Sequence, residues 1–502
     1  MKKIIKISDL KIIRQKFKRK EIGLVHGVFD YFHFGHLLHI EKAKSLCDVL
    51  IVSLTSDKFV QKGPDRPFYD INKRVRMLNS LKLVDYVVVS NHSSAVDIIG
   101  LLKPNIYFKG NDYADLKKDY SKRITKEINI LKKNKGKIFF TNEKNLSSSK
   151  ILNDHSNLFD NNTKKYLYKL NKEITFQGLN KIFQKIEKQK ILIIGDIIID
   201  KYTFTKSLGK SPKEQLIPVK IESVETYGGG AIATANHIID FVKECTLLSV
   251  VGKNNGENKK VKELINKKIK KNFIVDQNYS NIEKNRFIEQ DSNTKLFQIN
   301  NYDQLEISSY VENKILSYLK KNSKKFDQII VHDFGHGVIS KKIIKLIEKF
   351  YKKLSINVQT NSSNSGYNYI TKYKKTNYFS IDEPEARLAL QDKKSNSLNL
   401  FKQLSKKLKF NVGSITFGKN GTNIYRNKII HFAPVLSKQP VDTLGAGDAY
   451  FALSSLFSKE TKNIKILAFI GNVAGALKIK FVGHRQSLSK KNFLGFLKTI
   501  IN

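Results

Sequence analysis

Short apolar runs alternate with amphipathic stretches along most of this chain. In the first third, Ile22 to Gly27, Asp48 to Leu54, Tyr86 to Ser90, Ile106 to Lys109 and Lys137 to Thr141 read as strands. Gly35 to Ser45 and Asn72 to Leu81 carry apolar residues at helical spacing. Strands that alternate with helices predict βαβ units and a parallel sheet. Residues 153–163 are polar and rich in Asn, Asp and Ser, which marks a boundary, and residues 164–189 read as a Lys-rich linker helix. Beyond it, Ile191 to Asp200 reads as one buried strand that ends in two acids. Gly228 opens a helix that runs through Asn236, and Arg286 to Glu289 and Lys295 to Ile299 read as strands. Ala449 to Phe457 is an apolar helix. The pattern predicts an α/β protein with domains over 20–152 and 189–502 and a linker over 153–188.

The formal net charge of +45 comes from 90 Lys and Arg against 45 Asp and Glu. Such an excess suits nucleic acid, but no recognition motif accompanies it. The lysines are spread along the whole chain with abundant Asn and Ile, as A/T-rich coding produces. No nucleic-acid partner is therefore expected, and the basic surface draws in sugar phosphates and nucleotides. Cys47 and Cys245 stand in apolar contexts and form no metal or disulfide framework, which fits a reducing cytoplasm. Charges interrupt the first 20 residues, so no signal peptide is expected. No apolar run reaches the ~18–20 residues of a membrane helix.

Two stretches carry candidate chemistry. The first is Val441-Asp442-Thr443-Leu444-Gly445-Ala446-Gly447-Asp448-Ala449-Tyr450. A Gly-Ala-Gly turn before a helix leaves backbone N–H groups open and adds the positive end of the helix dipole. That makes an anion hole for a phosphoryl group, with Asp448 placed to take a proton from an attacking hydroxyl. The second is Gly27-Val28-Phe29-Asp30-Tyr31-Phe32-His33-Phe34-Gly35-His36, where the first strand hands over to a helix. His33 and His36 can face one ligand at the helix start, and Gly35 lets a phosphate chain approach. Imidazoles there can donate to an α-phosphate as charge builds on it. Two histidines at this spacing also suit a metal, though no third ligand stands nearby.

The first string resembles the signature of the ribokinase-like (PfkB) sugar kinases. The second resembles the G-x-F-D-x-x-H-x-G-H signature of the cytidylyltransferase-like nucleotidyltransferases. Lys62 to Pro67, Arg74, Lys109-Gly110-Asn111-Asp112-Tyr113 and Leu146 to Ile151 follow the second family in order. Gly195-Asp196 to Asp200, Gly228-Gly229-Gly230-Ala231, Asp382-Glu383-Pro384-Glu385 and Thr416-Phe417-Gly418-Lys419-Asn420-Gly421 follow the first. Together the halves resemble the bifunctional ADP-heptose synthases, with the domain order reversed. The resemblance implies a Rossmann-like nucleotidyltransferase domain followed by a ribokinase-like domain with a small β lid. It implies Asp448, His33 and His36 as catalytic. Gly27, Phe29, Asp30, Gly35, Arg74, Lys109, Ser147, Ser148 and Ser149 would bind one nucleotide. Thr416, Gly418, Gly421, Gly445, Ala446 and Gly447 would bind the other.

Asp196, Asp200, Gly229, Gly230 and Asn236 would bind sugar, the last in place of the amide expected at Ala233. Glu385 and Asp382 would hold Mg²⁺ through water. His336 replaces a family Lys, and Asp382 a family Asn. The implied substrates are ATP, a second nucleoside triphosphate (ATP or CTP) and a heptose 7-phosphate-like sugar. A separate phosphatase and a homodimer formed through the lid are implied as well. Two alternatives stay open: the same pair of activities on another sugar, or a kinase half reduced to a binding module.

Overall fold

The computed structural model describes residues 4–113, 123–141, 158–301, 306–361, 364–437 and 439–501. The chain divides into two compact units, Met1–Lys164 with Leu494–Asn502, and Lys165–Phe493.

In the first unit the strands are β1 (Ile4–Ile5), β2 (Ile22–Gly27), β3 (Val49–Thr55), β4 (Tyr86–Ser90), β5 (Ile106–Gly110) and β6 (Lys137–Thr141). They form one parallel sheet in the order β1-β4-β3-β2-β5-β6. Every residue of β3 is buried, as expected of a parallel strand covered on both faces. One layer of core packs Leu24, Ile51, Ile98 and Leu131, and the other Val25, Val52, Leu78 and Phe108. β2 pairs with β3 on one side and β5 on the other, so the strand order turns at β2. Ligands of open α/β sheets bind at such a switch point, beyond the carboxyl ends of the strands. The loop that leaves β2 there is 28–33, and the helix Phe34–Ser45 follows. The strands and two helices anticipated here agree with the structure to within a residue or so. The helices Leu10–Lys16, Val96–Leu102 and Arg123–Lys133 were not anticipated.

The second unit opens with two helices, Asn161–Glu173 and Phe176–Ile186, where one was expected. Thr175 caps the second by accepting from Gly178 N (3.1 Å). Phe183 of that helix stacks edge-on against Phe457 at 4.9 Å. The strands are β7 (Lys190–Gly195), β8 (Ile197–Ser207), β9 (Val219–Gly230), β10 (Glu244–Val251), β11 (Lys270–Val275), β12 (Ile282–Glu289) and β13 (Thr294–Asn301). They continue as β14 (Gln328–Asp333), β15 (Leu354–Val358), β16 (Lys375–Asp382), β17 (Lys409–Thr416), β18 (Thr422–Arg426) and β19 (Ile429–Ala433). The described residues form a core sheet, β11-β10-β7-β14-β15-β16-β17-β18-β19, and a small sheet, β13-β12-β8-β9. The core sheet is parallel from β11 through β17 and antiparallel beyond. The small sheet is the lid.

The expected single strand over Ile191 to Asp200 is two strands in two sheets. The chain leaves the core sheet at Gly195, where any Cβ would lie 1.9 Å from His332 O. It enters the lid at Ile197. Asp196 occupies the crossing.

Candidate active sites

The site of the first unit forms around the start of the helix Phe34–Ser45. His33 is its N-cap residue, and the rings of His33 and His36 stack at 3.9 Å. His33 N donates to His36 Nδ1 (3.4 Å), while both ring nitrogens of His33 are buried without a hydrogen-bond partner. A buried polar ring left open in this way is costly unless a ligand completes it. Burial, then the charge of Lys62, lowers the His33 pKa. Burial, His33 and Lys62 bring His36 down to about 3. Both rings are therefore neutral near pH 7 and present N–H groups rather than charges. Burial lowers Lys62 to about 8, against the pull of Asp30. Gly27 closes β2, and Phe29 follows it at φ 50°, turning the chain into the loop. Gly35 lies in the first turn of the helix. Lys109, at the end of β5, is 9% exposed and donates to His26 O (3.2 Å) at the neighbouring strand end.

Two expected nucleotide contacts have other duties. Asp30 is fully buried, pairs with Arg66 (2.8 Å) and accepts from Phe68 N, so it fixes the 66–69 loop. Arg74 is also fully buried. Its guanidinium donates to Val28 O (2.6 Å), Thr55 O (2.9 Å) and Tyr69 O (3.0 Å) and pairs with Asp57. Four of its five N–H donors are so engaged, and Arg74 ties the loop after β2 to the end of β3. Ser147, Ser148 and Ser149 lie outside the described residues.

The site of the second unit is a cavity of about 440 Å³ at the carboxyl ends of the core strands, under the lid. Its wall includes Asp200, Gly230, Asp382, Glu385, Thr416, Gly445, Gly447 and Asp448. Gly445 has φ 76° and caps the helix Ala446–Glu460, which begins three residues earlier than the pattern suggested. Asp448 therefore sits in its first turn. Ala446 is not on the wall, and its N–H donates to Thr443 O (3.2 Å). Gly445 and Gly447 line the cavity at the helix start.

Asp448 is 6% exposed. Burial alone would raise its pKa, but His332, His484 and Gln359 together hold it well below the carboxylate range. Gln359 Nε2 donates to Oδ1 at 2.6 Å, and His332 Nε2 lies 3.4 Å from the same oxygen. The far side of the His332 ring meets Thr234 Oγ1 at 2.7 Å. With Oδ1 so held, Oδ2 is left for the cavity.

Asp200 also lines the cavity and pairs with Arg286 of the lid. A Cβ on Gly229 would lie 2.1 Å from Asp200 Oδ2, so only glycine fits beside it. Asp382 and Glu385 form a reciprocal capping box: Glu385 N donates to Asp382 Oδ1 and Asp382 N to Glu385 Oε2, each at 2.8 Å. Glu385 Oε1 accepts from Thr360 N (3.1 Å). Burial, then the charge of Asp382, raises the Glu385 pKa.

Two expected sugar contacts are corrected. Asp196 is fully buried and accepts from the backbone N–H of Phe334 (2.8 Å), His336 (3.3 Å) and Val338 (3.3 Å). It builds the 334–338 turn and does not face the cavity. Asn236 donates to Leu264 O and accepts from Asn266 N, each at 2.9 Å, so its amide folds that turn. Thr416 lies on the wall, whereas Gly418 and Gly421 shape the turn beyond it at φ 54° and 91°. Lys284, Arg286, Gln298, Gln359 and His484 line the same cavity and were not singled out from the sequence. They come from segments with no shared motif.

A glycine turn beside a buried carboxylate in a lidded cavity on one unit, and a neutral histidine pair at a sheet switch point on the other, suit transfer chemistry in both units. Residues 188–491 match the pfkB family of carbohydrate kinases, and residues 24–154 match the cytidylyltransferase-like family. The chain belongs to the pfkB carbohydrate kinase family and carries a cytidylyltransferase-like domain ahead of it; it is an enzyme.

Curated relatives named Bifunctional protein HldE are similar. That of Aliarcobacter butzleri is 28% identical over 329 residues, 62% of this chain and 68% of that protein. That of Campylobacter jejuni subsp. doylei is 43% identical over 115 residues, 22% of this chain and 25% of that protein. Among solved structures, phosphofructokinase-2 of Escherichia coli aligns at 12% identity and a TM-score of 0.49, covering 62% of this chain and 99% of that one. No described helix is long and apolar enough to cross a membrane.

Proposed function

We propose that this chain builds a nucleotide-activated sugar in two separate steps. The second unit phosphorylates a sugar phosphate at C1 with ATP. The first unit then joins a sugar 1-phosphate to a nucleotidyl group, adenylyl by the HldE likeness, with release of pyrophosphate. The product class is an ADP-heptose.

Lys284 carries the sugar-phosphate part of this reading. It is 6% exposed, lies on the lid strand β12 and lines the cavity with Asp448. Among the described residues no carboxylate pairs with it, and its nearest aromatic partner is the Phe334 ring at 5.4 Å. Burial lowers its pKa. A buried ammonium without a paired carboxylate is costly, and an anionic group on the acceptor relieves that cost.

In the kinase step the acceptor hydroxyl gives its proton to Asp448 Oδ2. Its oxygen forms a bond to the terminal phosphorus of ATP as the bond to ADP breaks. Charge on the moving phosphoryl group faces the N–H groups at Gly445 and Gly447. Glu385 and Asp382 suit Mg²⁺ held through water: their carboxylates share backbone N–H groups with the helix start, and the raised Glu385 pKa marks a place short of positive charge. Bound there, Mg²⁺ would neutralise charge on the ATP phosphates. In the transfer step a sugar-phosphate oxygen attacks the α-phosphorus, pyrophosphate leaves, and His33 and His36 donate to the crowded oxygens.

A separate phosphatase acts between the steps, since C1 must carry the only phosphate of the final acceptor. The lid strands expose Ile221, Val224, Leu296, Phe297 and Ile299, each at least 43% exposed, which supports a homodimer through the lid. The sugar-phosphate reading is tested by Lys284→Met. It should raise KM for a phosphorylated acceptor and leave KM for the matching unphosphorylated sugar unchanged. Equal effects on both would remove the reading.

A further inference from the structure

His484 is outside both sequence motifs, yet it lines the kinase cavity. Its side chain is 6% exposed, and its Nε2 lies 3.7 Å from Asp200 Oδ2 and 3.7 Å from Asp448 Oδ2. Its Nδ1 is buried with no hydrogen-bond partner. The loop that carries it is firmly built. Gly483 N donates to Asp442 Oδ2 (2.8 Å), and the Asp442 carboxylate also takes Leu444 N (3.1 Å) and Lys295 of the lid (2.8 Å). Lys478, 1% exposed, donates to Leu444 O (3.0 Å) and to Gly483 O. The ring also packs where a Gly445 side chain would go: a Cβ there would lie 2.6 Å from His484 Cε1. The anion-hole turn and the His484 loop are thus fixed to each other.

A sugar hydroxyl between Asp200 and Asp448 meets two carboxylates, which can only accept hydrogen bonds. Its proton has a place to go, but its oxygen lacks a donor from either acid. His484 Nε2 points into that gap, and two carboxylates on one side favour the tautomer with the proton on Nε2. We propose that His484 is an acceptor-specificity residue of the kinase: its Nε2–H receives a hydroxyl oxygen of the sugar and places that hydroxyl between Asp200 and Asp448. The inference rests on the kinase reading above and adds the residue that selects the acceptor. His484 takes no proton in the step. The hydroxyl proton goes to Asp448, and the new O–P bond replaces the bond to ADP.

The test uses the full-length protein with ATP and a sugar phosphate that the wild type turns over. His484→Gln puts an amide N–H near the place of Nε2, whereas His484→Asn puts one near Nδ1. The Asn variant should raise KM for the sugar about 10- to 10²-fold, and the Gln variant should recover most of that loss. KM for ATP should change by less than about twofold in both. Nucleotidyl transfer by the first unit and an unchanged melting temperature report that each variant folds. Sugar KM within about twofold of wild type in both variants would overturn the assignment, as would equal losses in Gln and Asn with ATP binding lost as well. A wild type that phosphorylates none of a panel of sugar phosphates would overturn the kinase reading and this inference together.

Discussion

The two sites solve opposite electrostatic problems. In the second unit a carboxylate must stay ionised while buried, and it is surrounded by hydrogen-bond donors: His332, Gln359 and the nearby His484 keep Asp448 far below the usual range despite burial. In the first unit two histidines stay neutral, because burial and Lys62 lower both. One site thus keeps a buried carboxylate charged, as the proposed base needs. The other keeps N–H donors that gain strength only when an anion arrives, since an incoming phosphate would raise their pKa values. The contrast teaches that the same residue type serves opposite ends. Histidine supports a carboxylate in one unit and, in the proposed transfer step, is itself the hydrogen-bond donor to phosphate in the other.

Breaking the base should give the largest effect. Asp448→Asn keeps shape and removes the proton acceptor, so kinase kcat should fall about 10²–10⁴-fold with little change in KM for ATP. Nucleotidyl transfer should be untouched. Kinase activity near wild type would make Asp448 a helix cap and nothing more.

Breaking the donor pair comes next. His36→Ala should lower nucleotidyl transfer about 10²–10³-fold and spare the kinase. Because both rings are already neutral, the wild-type transfer rate should show no loss attributable to them between pH 6 and 8, a range set by the lowered His36 value of about 3. A transfer rate that falls steeply as pH rises through 7 would mean that charged histidines act.

Arg74 sharpens the comparison differently. As a phosphate ligand it would affect KM; as the buried tie between strand ends it affects folding. Arg74→Leu should destabilise the first unit by about 1–3 kcal/mol or more, because three carbonyls lose donors; Asp57, which is partly exposed, falls back on water. A thermal melt of that unit reads the outcome, and a normal melt with a raised nucleotide KM would restore the phosphate role.

The smallest effect concerns Glu385. Its raised pKa means that in the free protein the proton stays on to a higher pH than for an ordinary Glu. A divalent cation favours the charged form, so binding must expel that proton. Mg²⁺-dependent ATP affinity should therefore rise with pH, by at most about tenfold per unit, and level off above the Glu385 pKa. Calorimetry in buffers of different ionisation heat would detect the released proton. Affinity that is flat from pH 6 to 9, or that falls, would place the cation elsewhere.

Much of this was legible in the sequence because it is contiguous. Gly27 to His36 hold a strand end, a turn and both histidines in one string, and Val441 to Tyr450 hold the glycine turn and the buried carboxylate of the cavity. Parallel strands such as Val49–Thr55 announce themselves as unbroken apolar runs. Residues gathered by the fold were not legible. Lys284, Gln359 and His484 reach the kinase cavity from a lid strand, the end of a core strand and a late loop, and no spacing links them. Polar residues inside motifs carry structural bonds that their spacing does not announce. Asp30, Arg74, Asp196 and Asn236 sit where a ligand contact was expected, yet each shapes the backbone that presents the site. A motif marks which residues belong together; the hydrogen bonds show which of them already hold the backbone.

The proposed function requires one chain to carry two independent transfers on sugar phosphates. The most direct test incubates the full-length protein with ATP and a panel of sugar phosphates, and separately with ATP or CTP and sugar 1-phosphates, and reads products by mass spectrometry. A sugar bisphosphate is expected in the first set, lost in Asp448→Asn, and a nucleotide sugar with pyrophosphate in the second, lost in His36→Ala. The appearance of neither product, or the loss of both in either single variant, would contradict that function.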